Sequence, residues 1–305
     1  MKRWLVWAGA LVSLLCLAYF ARALAGHWQA LGTLRWSAGV GAAVGLALAL
    51  YLGTYAVATR AWQQGLRLFG ATPRYRALGR ILLLSQFAKY LPGNLGHHVG
   101  RVVLARHAGL PGEVVVASMV LDTGLVLLAG AACSLPALRL LATRIAPRLE
   151  GAVPWLPWLL LVGVAVLGAL LASRRLRQAW RTRLPRLAGF RAAPRRLAAI
   201  WLWHCLSFGA GAAALYALCV ALAPATGPAT GALAVLGVYA AAWLLGFLMP
   251  GSPAGLGVRE FVLLLGLGPL FGVQAATAAA ALLRLVTTAG DGLAFLAASR
   301  LRAPA

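Results

Sequence analysis

The sequence predicts an all-α, polytopic membrane protein: six full transmembrane helices plus two Pro-Gly-broken re-entrant hairpins, arranged as an inverted repeat. Three observations predict it. First, 62% of the 305 residues are apolar, only 11% are charged, and the mean hydropathy is +0.85. A soluble domain is nearer half apolar and about a quarter charged. Too few charges remain to coat a soluble surface, which excludes a cytosolic enzyme, a secreted disulfide scaffold and a disordered chain. Second, the apolar residues fall into runs of membrane-crossing length. Third, two further runs are interrupted, at matching places, by Pro-Gly.

A spanning helix needs about 20 apolar residues. Six runs qualify: Trp4–Ala25, Trp36–Ala58, Glu113–Leu135, Pro154–Ala172, Leu197–Ala223 and Val273–Ser299. The first begins with Lys2 and Arg3 and ends in Ala23-Leu24-Ala25, like a signal peptide. Its uninterrupted apolar core, Trp4 to Phe20, is longer than a usual signal core, so it is expected to stay as a helix. Two stretches are broken. Leu78–Leu91 stops at Pro92-Gly93 and resumes to about Arg106, and Gly231–Met249 stops at Pro250-Gly251 and resumes to about Phe271. Both second pieces are expected to be too short to cross alone.

The charge is lopsided: 28 Lys and Arg against five acids, net +23. The Arg residues lie between apolar runs, so this reads as membrane topology rather than nucleic-acid binding. The 60–80 loop holds Arg60, Arg67, Arg74, Arg76 and Arg80, and the 174–196 loop holds nine Arg. Placing these inside puts both termini in the cytoplasm and the 135–153 loop outside, in a plasma (inner) membrane. Cys16, Cys133, Cys205 and Cys219 all lie in apolar runs without metal-site spacing and read as buried side chains. The Trp residues near run ends, among them Trp36, Trp62 and Trp155, read as an interfacial belt.

Pro92-Gly93-Asn94 and Pro250-Gly251-Ser252 can be superposed, and Arg101 and Arg259 each follow nine residues after the Pro. The same shift carries the other helices onto one another. The chain therefore reads as one membrane domain of two halves, 1–150 and 151–305, the second inverted. The first broken element enters from inside and the second from outside. Inverted repeats with broken helices in matching places are a transporter pattern, with the site at the interface of the halves. Irregular backbone at membrane depth survives only where protein or water covers it. Two such tips imply a sheltered cavity, and their helix ends favour an anion.

Gln86-Phe87-Ala88-Lys89-Tyr90-Leu91-Pro92-Gly93-Asn94 with Gly100-Arg101, and Pro253-Ala254-Gly255-Leu256-Gly257-Val258-Arg259-Glu260, resemble the lysylphosphatidylglycerol synthase transmembrane-region family over nearly the whole chain. Arg284 also resembles the family's Arg in the last helix. The chain departs at Asp122-Thr123, where the family tends to have an acid followed by Arg. The resemblance implies a flippase-like membrane protein that handles lipid, without the soluble aminoacyl-transferase domain. It does not name the lipid.

Ionisable groups within spans are functional candidates. Substrate contact is expected of Lys89, Asn94, Arg101, Ser252, Arg259, Glu260 and Arg284, around the re-entrant tips Pro92, Gly93, Pro250 and Gly251. The guanidinium fork matches phosphate. The alternative for Arg101 and Arg259 is pairing with acids or carbonyls that locks the hairpins. Asp122 is expected to pair with a cation on another helix or to couple a proton. Asp291, near the inner end of its helix, is expected to be solvated or interfacial, and too far from Arg284 for direct pairing. His97 and His98 read as loop or headgroup hydrogen-bonders rather than metal ligands, and His204 as a satisfied core residue. No metal or cofactor is expected, and no nucleic acid.

The leading function is a non-enzymatic transporter or flippase for a lipid with an anionic, phosphate-bearing headgroup. The alternative is a membrane enzyme, or a non-catalytic accessory subunit, of a glycolipid or polyprenyl-phosphate pathway. Lipid or glycan biosynthesis enzymes are the expected protein partners.

Overall fold

A computed structural model describes residues 37–90, 96–138, 140–141, 193–223, 231–249 and 252–301, with seven scattered positions between 11 and 25. The predicted helix Pro154–Ala172, most of the first run, the 142–192 stretch and both Pro-Gly tips lie outside the described residues. The described chain is all-helical. Its helices are α1 (Ala38–Leu68), α2 (Tyr75–Gln86), α3 (Gly96–His107), α4 (Gly112–Ser134), α5 (Pro194–Leu222), α6 (Ala232–Leu248), α7 (Val258–Phe271) and α8 (Val273–Arg300). The four predicted full runs that fall on described residues reappear as helices, with shifts at their ends.

The largest shift is in α1, which runs ten residues past the expected Ala58. Its 31 residues measure ~46 Å, against ~30 Å for a hydrocarbon core. Ser37 caps its start, accepting from the Val40 amide at 3.3 Å. Its far end is polar by sequence, yet Trp62, Leu66 and Leu68 pack there against α2 and α4. Gly70 stops it. With φ at +82° the amides of Gly70 and Ala71 turn back onto the carbonyls of Arg67 and Leu66.

The two interrupted segments are broken helices. In the first, α2 tightens into a 3₁₀ turn over Phe87–Tyr90 before the tip, and α3 follows it. The arms touch at Gly96, where a Cβ would lie 2.4 Å from the Ala88 carbonyl oxygen. In the second, α6 ends at Leu248, a 3₁₀ turn spans Pro253–Gly255, and α7 starts at Val258. Ala254 takes left-handed φ there, as do Gly255 and Gly257. The α3 arm, 12 residues or ~18 Å, is too short to cross, as expected. The second arm differs: Pro253–Phe271 is 19 residues long and apolar enough to span. The helical path resumes at Pro253 itself and tolerates Pro269 near its end, so little length is lost.

The described residues contain five stretches long and apolar enough to cross a membrane: Ala38–Leu68, Gly112–Ala137, Pro194–Leu222, Pro253–Phe271 and Val273–Arg300. Outward-facing Leu46, Val120, Leu202, Leu233 and Leu285 suit a lipid surround. The helix contacts recur in pairs. α2 meets α3 as α6 meets α7, and α4 meets α6 as α8 meets α2. α5 lies on α4 as α1 lies on α8, while α1 and α5 pack extensively against each other. The 3₁₀ turns beside the two tips also touch.

Candidate functional site

Both broken elements, with α1, α4, α5, α6 and α8, enclose one cavity of about 270 Å³. Lys89, Arg101, Asp122, Arg259, Glu260 and Arg284 all line it. Residues named from separate parts of the sequence thus converge. Asn94, Pro92, Gly93, Pro250 and Gly251 lie outside the described residues. Ser252 does not line the cavity, because its fully buried hydroxyl donates to the Leu256 carbonyl at 3.0 Å.

Four of the charged groups around the cavity form two ion pairs, although Arg284 Nη2 is buried without a hydrogen bond. Lys89 Nζ lies 2.7 Å from Asp291 Oδ2. Asp291 also accepts from the hydroxyls of Tyr51, Tyr55 and Tyr90. This overturns the expectation that Asp291 is solvated: it is 1% exposed. Position along α8 misled, since two α1 tyrosines and the first broken element cover that end of the helix. Arg284 Nε lies 3.4 Å from Glu260 Oε1, and its Nη1 donates to the Ala254 carbonyl at 3.3 Å. Glu260 Oε2 accepts the Gly257 amide at 2.8 Å, fixing the carboxylate at the start of α7. Arg284 therefore pairs with Glu260 and not with Asp291.

Arg101 and Arg259 are different. Neither has an ion-pair partner among the described residues, and the Nε of each is buried without a hydrogen bond. Each instead lies over an indole. Arg101 Cζ is 5.0 Å from the Trp62 ring centroid and Arg259 Cζ is 5.7 Å from that of Trp243. The rings are themselves fixed. Trp62 donates to Ser118 Oγ at 3.2 Å, and Trp243 stacks on Phe247 at 5.0 Å. Trp62 is fully buried, so it belongs to this arrangement rather than to an interfacial belt. Two glycines make room for Arg259: a Cβ on Gly246 would lie 2.6 Å from its Cγ, and one on Gly255 2.6 Å from its Nε. Of the two readings open for these arginines, pairing with an acid is therefore not what the described structure contains.

Asp122 does meet a partner on another helix, and that partner is His204. His204 Nε2 lies 3.0 Å from Asp122 Oδ1, and both side chains line the cavity. His97 and His98 stack with ring centroids 3.9 Å apart at the cavity edge. Among the described residues no three His, Cys, Asp or Glu come together as a metal cage. Sequence reasoning missed Tyr51, Tyr55, Trp62 and Trp243. Tyr51 and Tyr55 carried a signal, since a spacing of four places both hydroxyls on one helix face.

The helices and the enclosed polar centre define a multi-pass membrane protein with a charged internal cavity. The chain belongs to the family described as Lysylphosphatidylglycerol synthase TM region, whose model matches residues 6–293. Among curated proteins none matches the chain.

Proposed function

We propose that this protein moves a membrane lipid with an anionic, phosphate-bearing headgroup through the cavity between its halves, without chemical conversion. The observation that carries this reading is the pair of guanidiniums at Arg101 and Arg259. They follow the two breaks at the same spacing, have no acid within ion-pair distance among the described residues, keep an unbonded Nε and face one cavity. A buried cation without a partner is costly, and a phosphate oxygen pair supplies what the fork lacks. Lys89 and Arg284 add positive potential while held by Asp291 and Glu260. The re-entrant reading of the broken elements belongs to the same proposal: each tip enters from one side, and the touching turns close the cavity between leaflets. Both termini and the 174–196 loop face the cytoplasm of the plasma membrane.

The test is exchange of NBD-labelled phosphatidylglycerol in liposomes containing the full chain, read by dithionite quenching of the outer leaflet. The expected result is near-complete quenching, against about half in protein-free liposomes. Quenching that stays at half would overturn transport and favour an enzyme or an accessory role.

A further inference from the structure

We propose that the His204–Asp122 pair is a proton-binding site of this cavity, so that an anionic lipid and a proton cross together. The inference rests on the transport reading above. Its starting point is the charge held around the cavity. Lys89, Arg101, Arg259 and Arg284 supply four positive charges, and Asp122, Glu260 and Asp291 supply three negative ones. Two of those acids are matched by fixed cations. Among the described residues, the group within ion-pair distance of Asp122 is an imidazole, 3.0 Å away and on a different helix, while the Arg101 charge acts on it from farther off. Imidazole is the side chain whose ordinary titration falls between pH 5 and 8.

The surroundings make this imidazole the distinct one. Among the described residues, His204 is the only cavity histidine hydrogen-bonded to a carboxylate. From α1 the cavity receives Tyr51 and Tyr55, from α6 Tyr239, from α7 Arg259 and Glu260, and from α8 Arg284. The first broken element adds Lys89, Tyr90, His97, His98 and Arg101, and α4 adds Asp122 itself. Glu260 is already engaged by Arg284, and Asp291 by Lys89. Asp122 is thus the carboxylate with room to hold a proton on its partner.

The bookkeeping of charge agrees with this coupling. With His204 neutral the described residues give the empty cavity one net positive charge. A phosphodiester headgroup brings one negative charge, and a proton on His204 restores the empty value. Loaded and empty cavities then have equal charge, and lipid plus proton crosses without net charge movement, so the membrane potential does not oppose it. Binding is reciprocal: the proton raises the affinity for the anion, and the anion raises the affinity for the proton.

The test uses the full chain in phosphatidylcholine liposomes with a trace of NBD-phosphatidylglycerol. One pH unit is imposed across the bilayer, and the potential is clamped at zero with potassium and valinomycin. The wild type is expected to enrich the probe severalfold in the leaflet on the alkaline side, toward a limit of about tenfold for one proton per lipid. H204Q keeps a donor to Asp122 but carries no proton, and D122N keeps an acceptor but no charge. Each is expected to exchange the probe above the protein-free baseline yet leave it evenly distributed, and either variant that folds decides the point. Exchange by the wild type without enrichment overturns proton coupling alone, as does enrichment by a variant equal to that of the wild type. A wild type that exchanges no probe even without a gradient overturns the transport reading, and this inference with it.

Discussion

At the residue scale, the decisive contrast is between charges that have a counter-charge and charges that do not. Arg101 is 7% exposed, rests on Trp62 and has no acid within ion-pair distance among the described residues. Cation–π contact contributes about 0.5–2 kcal/mol, less than desolvating a guanidinium costs. Arg101→Met should therefore raise the melting temperature in detergent while abolishing lipid exchange, a gain of about 1 kcal/mol in stability. A lowered melting temperature would mean that the arginine holds the fold. Lysine in place of either Arg101 or Arg259 keeps the charge but loses the planar fork, so exchange should fall at least tenfold with folded yield preserved. Asp291 is the opposite case. Asp291→Asn leaves Lys89 without its counter-charge and should cost about 3–5 kcal/mol, read as a large drop in melting temperature. None of these assignments was legible in the sequence. Spacing placed Arg101, Arg259 and Asp291 on their elements, but whether a charge is paired depends on helices far away in the chain.

At the element scale, the broken helices were the most legible feature and their packing the least. Proline and glycine announce a break because they remove a donor and allow left-handed backbone. They do not announce what packs against the break. Gly246 lies inside α6 and resembles any glycine in an apolar helix, yet it is the space into which Arg259 folds. Gly246→Ala should displace the Arg259 side chain and reduce exchange severalfold, with some loss of folded yield because the Cβ would also lie 3.2 Å from the Gly255 Cα. Gly96→Ala should be worse for the fold, because its Cβ meets backbone of the opposite arm. Gly41, in α1, has nothing within 4 Å of such a Cβ. Gly41→Ala should leave exchange unchanged and stabilise the helix by about 0.5–1 kcal/mol. Equal effects of alanine at 246 and 41 on exchange would show that Arg259 tolerates displacement.

At the scale of the whole molecule, hydropathy gave the spans to within a few residues, except where α1 continues beyond the apolar run. That extension is held by tertiary packing of Trp62 and Leu66, which no local window detects. The paired contacts of the two halves follow the internal shift that relates Arg101 to Arg259. The proposed inverted arrangement, with the Arg-rich 174–196 loop inside, predicts sidedness. In a variant with Cys16, Cys133, Cys205 and Cys219 replaced by serine, a cysteine introduced at Trp180 should resist an impermeant maleimide applied to intact cells. It should react once the membrane is opened. Labelling from outside would reverse the orientation and exchange the roles assigned to the two broken elements.

The short arm α3 has one more consequence, for how the chain reaches its final place during synthesis. Within twelve residues it carries His97, His98, Arg101, Arg106 and His107. An arginine at the centre of a span costs about 2.5–3.5 kcal/mol at insertion, and this arm lacks the apolar length to offset it. The insertion machinery has no reason to release it sideways into lipid. On the re-entrant reading proposed above, it enters the bilayer between neighbours already there, with the stable spans α1 and α4 in place before the arm that lies between them in the sequence. On that reading the order of assembly departs from the order of translation at this arm, and the wall of the cavity that α3 supplies closes after α4 is in place.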